Sequence, residues 1–295
     1  FAASEADARK VVATLSQALY EFDGLSLQKL KTRIMRKSEF LRTFALGGDG
    51  DVDRQSMEFL RLRLKFDPYS PSADADYEVL KGHVGRYDVV GMLAREAKKG
   101  AVHVQLTRKL LHGARFVADE DVNALAATLA DNLRAFAPMI GAVASLVRSI
   151  LPRLDAAVAG LLCRRFVGLL DAGGREFVTD LQRATVVRLL STIGVERDLV
   201  VEVIEGELSA SASPLVRKEC LWGVVRLREN RALSGAMSRL AAGCSQWERR
   251  ALIFGSFQVG ETGRLARESI SGGMSPFEEL IAEWGRARAG LLVEG

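Results

Sequence analysis

From residue 54 to its end, this 295-residue chain is dominated by the helical spacing of its apolar residues. They recur every three or four residues, in helix-length segments that short turns rich in Gly, Pro or Ser interrupt. Ser213-Pro214 and Ser275-Pro276 each place a capping serine before a proline at the first helical position. Ser245 and Ser275 are each followed three residues later by a glutamate, which makes a capping box. The pattern predicts a mainly α-helical protein.

In the last third of the chain, helix-length segments joined by short loops predict stacked helical hairpins. One helix pair repeats every ~30–45 residues there, which lies within the range of helical solenoids, and a HEAT-like α-helical repeat array describes it best. The predicted helices are 4–22, 54–66, 74–99 with a break near 82–85, 102–116, 119–136, 138–150, 152–171, 176–193, 198–209, 213–228, 231–242, 245–259 and 275–288.

Strand character is confined to residues 25–27 and 33–40, near the N-terminus. There, Gly24 ends an amphipathic helix and is followed by the alternating apolar sequence Leu25-Ser26-Leu27 and a basic turn. Such short strands need partners from elsewhere, because an isolated sheet built from them would have an unpaired edge. They predict a small sheet remnant ahead of the helical array.

The stretch GLSLQKLKT, residues 24–32, resembles the end of the palm domain of bacterial reverse transcriptases, whose usual form is G-L-x-L-N-x-x-K-T. Gln28 replaces the asparagine of that form, and the Lys31-Thr32 pair stands at the expected spacing. The opening residues 1–5 resemble the strand that follows the metal-binding aspartates in that family. The resemblance therefore implies a longer polypeptide whose catalytic aspartates precede Phe1.

Several later segments are similar to a narrower group, the abortive-infection and defence-associated reverse transcriptases. In that group a short thumb-like region leads into a long array of helical repeats. The similar segments are RLKFDPYSPSADADYEVLK (63–81), YDVVGMLARE (87–96), WERRA (247–251) and SPFEELIAEW (275–284).

The resemblance implies three regions: 1–50 as the end of the palm, 51–118 as a thumb-like helical region, and 119–295 as an α-helical repeat domain. It implies a cytoplasmic RNA-directed DNA polymerase, a nucleotidyltransferase of antiviral defence, which uses deoxynucleoside triphosphates and a nucleic-acid template or product. Mg²⁺ is expected for the full-length enzyme, with no metal ligand among the residues of this fragment.

One lysine has an implied catalytic role, and two basic sets are candidates for binding phosphate groups. In the related enzymes the lysine equivalent to Lys31 approaches the incoming nucleotide and is proposed to assist pyrophosphate departure. The first basic set is Lys29, Arg33, Arg36 and Lys37, and the second is Arg217, Lys218, Arg249 and Arg250. Because side chains alternate along a strand, the first set would be divided between two faces. In each adjacent pair of the second set, one member is expected to face the neighbouring helix and the other the solvent.

Composition leaves a second class of function open. The chain has 41 Lys and Arg against 37 Asp and Glu, a net charge of +4, and charged outer faces are common on helical repeats. A non-enzymatic scaffold that binds RNA or protein is therefore the alternative, and a homo-oligomer also stays open. Trp222, Trp247 and Trp284 are expected to be core aromatics. The apolar run 135–147 contains a proline and a glycine, which favours a buried helix over a membrane segment.

Overall fold

The computed structural model describes residues 4–23, 34–36, 53–99, 102–171, 177, 179–239 and 243–291. These residues are mainly α-helical and include no β-strand, which confirms the predicted helical class. The predicted strands 25–27 and 33–40 lie outside them, except for residues 34–36, which form neither helix nor strand.

The first of two compact units comprises residues 1–165 and 174–179. Its helices are α1 (Glu5–Asp23), α2 (Arg54–Arg61), α3 (Ala73–Val84), α4 (Val89–Ala97), α5 (Val104–Gly113), α6 (Asp119–Asp131), α7 (Leu133–Phe136), α8 (Ile140–Ile150) and the first part of α9 (Ala156–Asp171). Helix α5 packs against α2, α4 and α8. The buried residues Leu106 and Leu110 of α5 belong to the core with Leu125 and Leu129 of α6.

The predicted boundary between residues 118 and 119 falls inside this unit. Helix α6 begins at Asp119 and packs against α4, which precedes the boundary, and against α8, which follows it. The helices on the two sides of residue 118 therefore share one core.

Residues 62–66 do not continue α2, although the predicted helix extends to residue 66. Leu62, Leu64 and Phe66 alternate with the exposed Arg63 and Lys65, which is the two-residue period of an extended segment. Side chains of α5 satisfy the backbone carbonyls. The Lys109 ammonium donates to the carbonyls of Leu60 and Leu62, and a ring nitrogen of His112 lies 3.1 Å from the carbonyl of Leu64.

The apolar stretch Leu133–Arg153 is long and apolar enough to cross a membrane by length and composition alone. It comprises α7, α8 and two 3₁₀ turns, and half of its most apolar window is buried within the protein. Val143, Val147 and Ile150 of α8 have no exposed surface. This agrees with the predicted buried helix.

The second unit contains residues 166–173 and 180–295. Its helices, after the end of α9, are α10 (Asp180–Ile193), α11 (Arg197–Ala210), α12 (Pro214–Arg226), α13 (Asn230–Ala236), α14 (Gln246–Gly255), α15 (Gly260–Glu268) and α16 (Pro276–Leu291). Helices α10, α12, α14 and α16 form a stack in which each helix packs against the next. Helix α11 packs against α12, and α13 packs against both α12 and α14.

Three of the stacked helices share a sequence pattern that sets their spacing. Ser213, Ser245 and Ser275 precede α12, α14 and α16, and each is followed nine and ten residues later by an aromatic residue and a glycine. A Cβ atom on any of these glycines would lie 2.7–2.9 Å from a neighbouring side chain. Glycine thus permits the close approach of the packed elements. The aromatic–glycine pairs are Trp222-Gly223, Phe254-Gly255 and Trp284-Gly285.

Candidate nucleic-acid interface

Most of the first basic set lies outside the described residues, namely Lys29, Arg33 and Lys37, and so does the predicted catalytic Lys31. Arg36 is described and exposed. It lies close enough to α1 to contribute to the lowered pKa of Glu5, whose main cause is a hydrogen bond from Arg9.

A ladder of arginine–glutamate pairs joins the stacked helices of the second unit. In each step an arginine of one helix reaches a buried carboxylate of the next helix in the stack. Such charge-assisted pairs are stronger than neutral hydrogen bonds, and two of the three are bidentate. The pairs are Arg188–Glu219 (Nε–Oε2 2.9 Å, Nη2–Oε1 2.6 Å), Arg217–Glu248 (Nε–Oε1 2.7 Å, Nη2–Oε2 3.1 Å) and Arg249–Glu278 (Nε–Oε1 2.8 Å).

Two of these glutamates also cap their own helices. The backbone N–H of Ser245 donates to Glu248 Oε2 at 3.1 Å, and that of Ser275 donates to Glu278 Oε2 at 2.9 Å. The Ser245 hydroxyl oxygen in turn accepts from the Glu248 backbone N–H, which completes the predicted capping box. One carboxylate therefore fixes both the start of a helix and its attachment to the previous one.

The electrostatics of the ladder favour ionised carboxylates. Burial alone would raise the pKa of Glu248, but hydrogen bonds from Arg217 and Ser245 outweigh it and hold that pKa below the ordinary value. Glu219 and Glu278 show the same balance: burial acts against the charge, and bonds from Arg188 to Glu219 and from Ser275 and Arg249 to Glu278 lower the pKa.

In each adjacent pair of the second basic set, Arg217-Lys218 and Arg249-Arg250, the two members have different surroundings. Arg217 and Arg249 point at the buried carboxylates of the next helix, so the ladder already occupies their guanidinium groups. Lys218 and Arg250 lie instead against aromatic rings.

These two cations and two rings form what we call the cation–aromatic surface, defined by Lys218, Trp247, Arg250 and Phe277. Lys218 Nζ lies 5.0 Å from the centre of the Trp247 ring, and Arg250 Cζ lies 4.8 Å from the same ring and 4.6 Å from that of Phe277. Trp247 and Phe277 are both more than half exposed. Distances of this size are those of cation–π contacts, which hold the charged groups beside the rings.

The two cations differ in how far their charge is already neutralised. Lys218 Nζ lies 3.0 Å from Glu219 Oε1, so part of its charge is matched by the ladder. The Arg250 Nε atom is buried and has no hydrogen-bond partner in the part of the chain that is described. No hydrogen bond from the described residues therefore matches the charge of Arg250 at this nitrogen, whereas Glu219 matches part of that of Lys218.

The expectation that the three tryptophans are core residues is wrong for Trp247 and Trp284, and Trp222 is half-buried. Trp222, Phe254 and Trp284 form a column across three stacked helices, with ring centres 5.4 Å and 4.6 Å apart. Phe254, in the middle of the column, is 9% exposed, whereas Trp284 at its end is 51% exposed. Trp247 lies outside the column and is also more than half exposed. The helical spacing of apolar residues shows which of them share one face of a helix, but it does not show whether another helix buries that face.

The described residues include no cluster of metal-ligating side chains, and the pKa of their buried Cys220 is raised rather than lowered. No group of three His, Cys, Asp or Glu side chains there could hold a metal ion. Cys163 and Cys220 are buried cysteines, and burial raises the pKa of Cys220 to about 12, which keeps it protonated and unreactive.

No family model, curated protein or solved structure matches this chain. The class of protein is therefore defined by the structure itself: a mainly helical chain whose second unit stacks its helices through a buried charge ladder. On α14 and α16 the rings of Trp247 and Phe277 are exposed, and the half-buried cations Lys218 and Arg250 lie against them.

Proposed function

We propose that this chain is the C-terminal part of a defence-associated reverse transcriptase and that its second unit is a HEAT-like repeat array that binds single-stranded nucleic acid. The observation that carries the binding role is the cation–aromatic surface, where Trp247 and Phe277 are exposed beside two cations. The sequence resemblance around Lys31 supports the polymerase role.

A single strand fits this surface better than a duplex does. Bases of a single strand are free to stack on exposed aromatic rings, whereas those of a duplex are stacked on one another. Arg250 and Lys218 supply positive charge for the phosphates, and phosphate contacts position a strand without reading its sequence. The expected ligand is a template or product strand of any sequence.

In the proposed polymerase, a hydroxyl of the primer attacks the α-phosphate of a deoxynucleoside triphosphate and pyrophosphate leaves. The ammonium group of Lys31 stabilises the negative charge that develops on the departing pyrophosphate. The metal ligands would come from the upstream part of the polypeptide.

A non-enzymatic scaffold remains the second candidate. The exposed apolar residues Leu280 and Trp284 of α16 favour it, because contiguous exposed apolar side chains are typical of protein–protein contacts.

Binding of a fluorescent single-stranded oligonucleotide tests the role of the surface. We expect the double variant K218Q/R250Q to bind more weakly at low salt and to reduce the slope of log K against log salt by about 1–2, since one or two phosphate contacts are lost. We expect Trp247→Ala to weaken binding about tenfold through lost stacking, with an almost unchanged slope.

The matched control is Arg264→Gln. Arg264 is a half-exposed arginine of α15 that pairs with Glu261 and Glu268 on its own helix, so its replacement should leave oligonucleotide affinity unchanged. Equal affinities and slopes for the wild type and K218Q/R250Q would favour the scaffold over the nucleic-acid role.

The polymerase role is tested with Lys31→Ala in the full-length polypeptide. We expect the rate of deoxynucleotide incorporation to fall about tenfold or more, since charge stabilisation of the leaving group is lost. Circular dichroism and the thermal midpoint serve as the folding control. Wild-type incorporation kinetics in this variant would contradict the role of Lys31.

A further inference from the structure

Helix α16 carries two apolar faces. Ala282 and Gly285 lie on the face that is buried within the second unit. On the other face Phe277, Leu280 and Trp284 are each more than half exposed, and Ala287 is exposed as well. These four residues, which we call the exposed seam, are spaced by three, four and three positions.

That spacing is the a/d pattern of a coiled coil. Phe277 and Trp284 take the a positions, and Leu280 and Ala287 take the d positions. A helix whose a/d residues are exposed has the geometry to receive a second helix along that seam. Phe277 and Trp284 also contact α14, through Arg250 and Phe254, but both keep more than half of their surface exposed, as Leu280 does.

The charges beside the seam identify the second helix. Glu283 takes the g position before Trp284, and Arg288 takes the e position after Ala287; both are exposed. In a parallel two-stranded coiled coil, a g residue lies beside the e residue five positions further along the partner helix. Residues 283 and 288 are five positions apart and opposite in charge, so α16 complements itself.

We propose that the exposed seam pairs in parallel with the α16 seam of a second copy of this chain, with Glu283 of each copy beside Arg288 of the other. The two-fold symmetry forms this ion pair twice. An antiparallel arrangement would bring g beside g and e beside e, and the charge match would be lost. The seam is only about two heptads long, so the dimer is reversible and depends on concentration.

Sedimentation equilibrium of the full chain over a range of concentrations tests the apolar part of the interface. We expect the wild type to dimerise as concentration rises and Leu280→Glu to stay monomeric, with unchanged circular dichroism. The control is Leu265→Glu, which alters a similarly exposed leucine on α15 and should leave dimerisation intact. A monomeric wild type, or a Leu280→Glu variant that still dimerises, would overturn the proposal.

Charge exchange tests the orientation. Glu283→Arg or Arg288→Glu alone turns two attractive pairs into two repulsive ones and should raise the dimer dissociation constant about tenfold. An equimolar mixture of the two variants should form a heterodimer with near wild-type affinity, because both of its pairs are again opposite in charge. A mixture that associates no better than either variant alone would overturn the parallel register. Neither Glu283 nor Arg288 belongs to the cation–aromatic surface, although the exposed seam shares Phe277 with that surface, so the association is measured without oligonucleotide.

Discussion

Glu248→Ala is expected to lower the free energy of unfolding of the second unit by about 3–5 kcal/mol, because breaking a buried ion pair leaves an uncompensated charge. Glu248 is 1% exposed and accepts hydrogen bonds from Arg217, from the Ser245 hydroxyl and from the Ser245 backbone. Its removal strands the Arg217 guanidinium and, at the same time, removes the hydrogen bond from the Ser245 backbone N–H that forms half of the α14 capping box. Urea unfolding followed by tryptophan fluorescence measures the loss, since all three tryptophans belong to this unit.

Two further variants isolate the cause. Glu261→Ala removes an exposed glutamate that pairs with Arg264 of its own helix, and should leave the free energy of unfolding almost unchanged. Adding Arg217→Met to Glu248→Ala should recover part of the lost stability, because the stranded charge is gone. If Glu248→Ala behaved like Glu261→Ala, the ladder would not be a source of stability.

The same carboxylates predict how stability depends on pH. The folded-state pKa values of Glu219, Glu248 and Glu278 are lowered, so these groups stabilise the fold above the pKa of an unfolded glutamate. That contribution is lost as pH falls below about 4.5 and through the folded-state values. The Glu248→Ala variant should therefore lose less stability than the wild type over this acidic range.

Gly263→Ala is expected to destabilise the second unit by about 3 kcal/mol. Gly263 lies in α15, and a Cβ atom there would stand 1.8 Å from the carbonyl oxygen of Ser256. Backbone cannot move aside as a flexible side chain can, so α15 would have to shift away from the 3₁₀ turn Ser256–Gln258 against which it packs.

Gly206→Ala is the matched control for this prediction. Gly206 lies within α11, and a Cβ atom there would meet nothing within 4 Å among the described residues beyond the backbone of its own helix, so alanine should raise stability by about 0.4–1 kcal/mol. The difference between the two Gly→Ala variants measures the close approach directly, by the same urea titration. A Gly263→Ala variant as stable as Gly206→Ala would show that α15 does not approach the turn so closely.

Local sequence signals predict the local structure well. The Ser245 capping box and Pro214 at the start of α12 are present as predicted, because a helix start depends on residues within one turn, although Ser213 precedes α12 without a side-chain capping hydrogen bond. The helix predicted for residues 62–66 is wrong. The apolar residues of this segment alternate, and tertiary hydrogen bonds from α5 replace those of a helix.

The contacts between helices could not be predicted from such signals. Arg217 and Glu248 are 31 residues apart, and nothing within one turn of either residue indicates that they pair. The recurring aromatic–glycine pairs were the available sign, since they place the three stacked helices in a common register. The cation–aromatic surface depended on the same information, because only the register brings Lys218 to the Trp247 ring and Arg250 to the Phe277 ring. The contact between Arg250 and Trp247 is local, since the two residues lie three positions apart on α14.

The double use of Glu248 and Glu278 has a consequence for how such a chain can change in length. Each carboxylate belongs at once to its own helix start and to the preceding helix. A deletion that removes one whole helix pair can join two intact steps, whereas a deletion inside a pair leaves an arginine and a helix end without their shared partner. Related chains should therefore gain or lose length here in complete helix pairs, about thirty residues at a time.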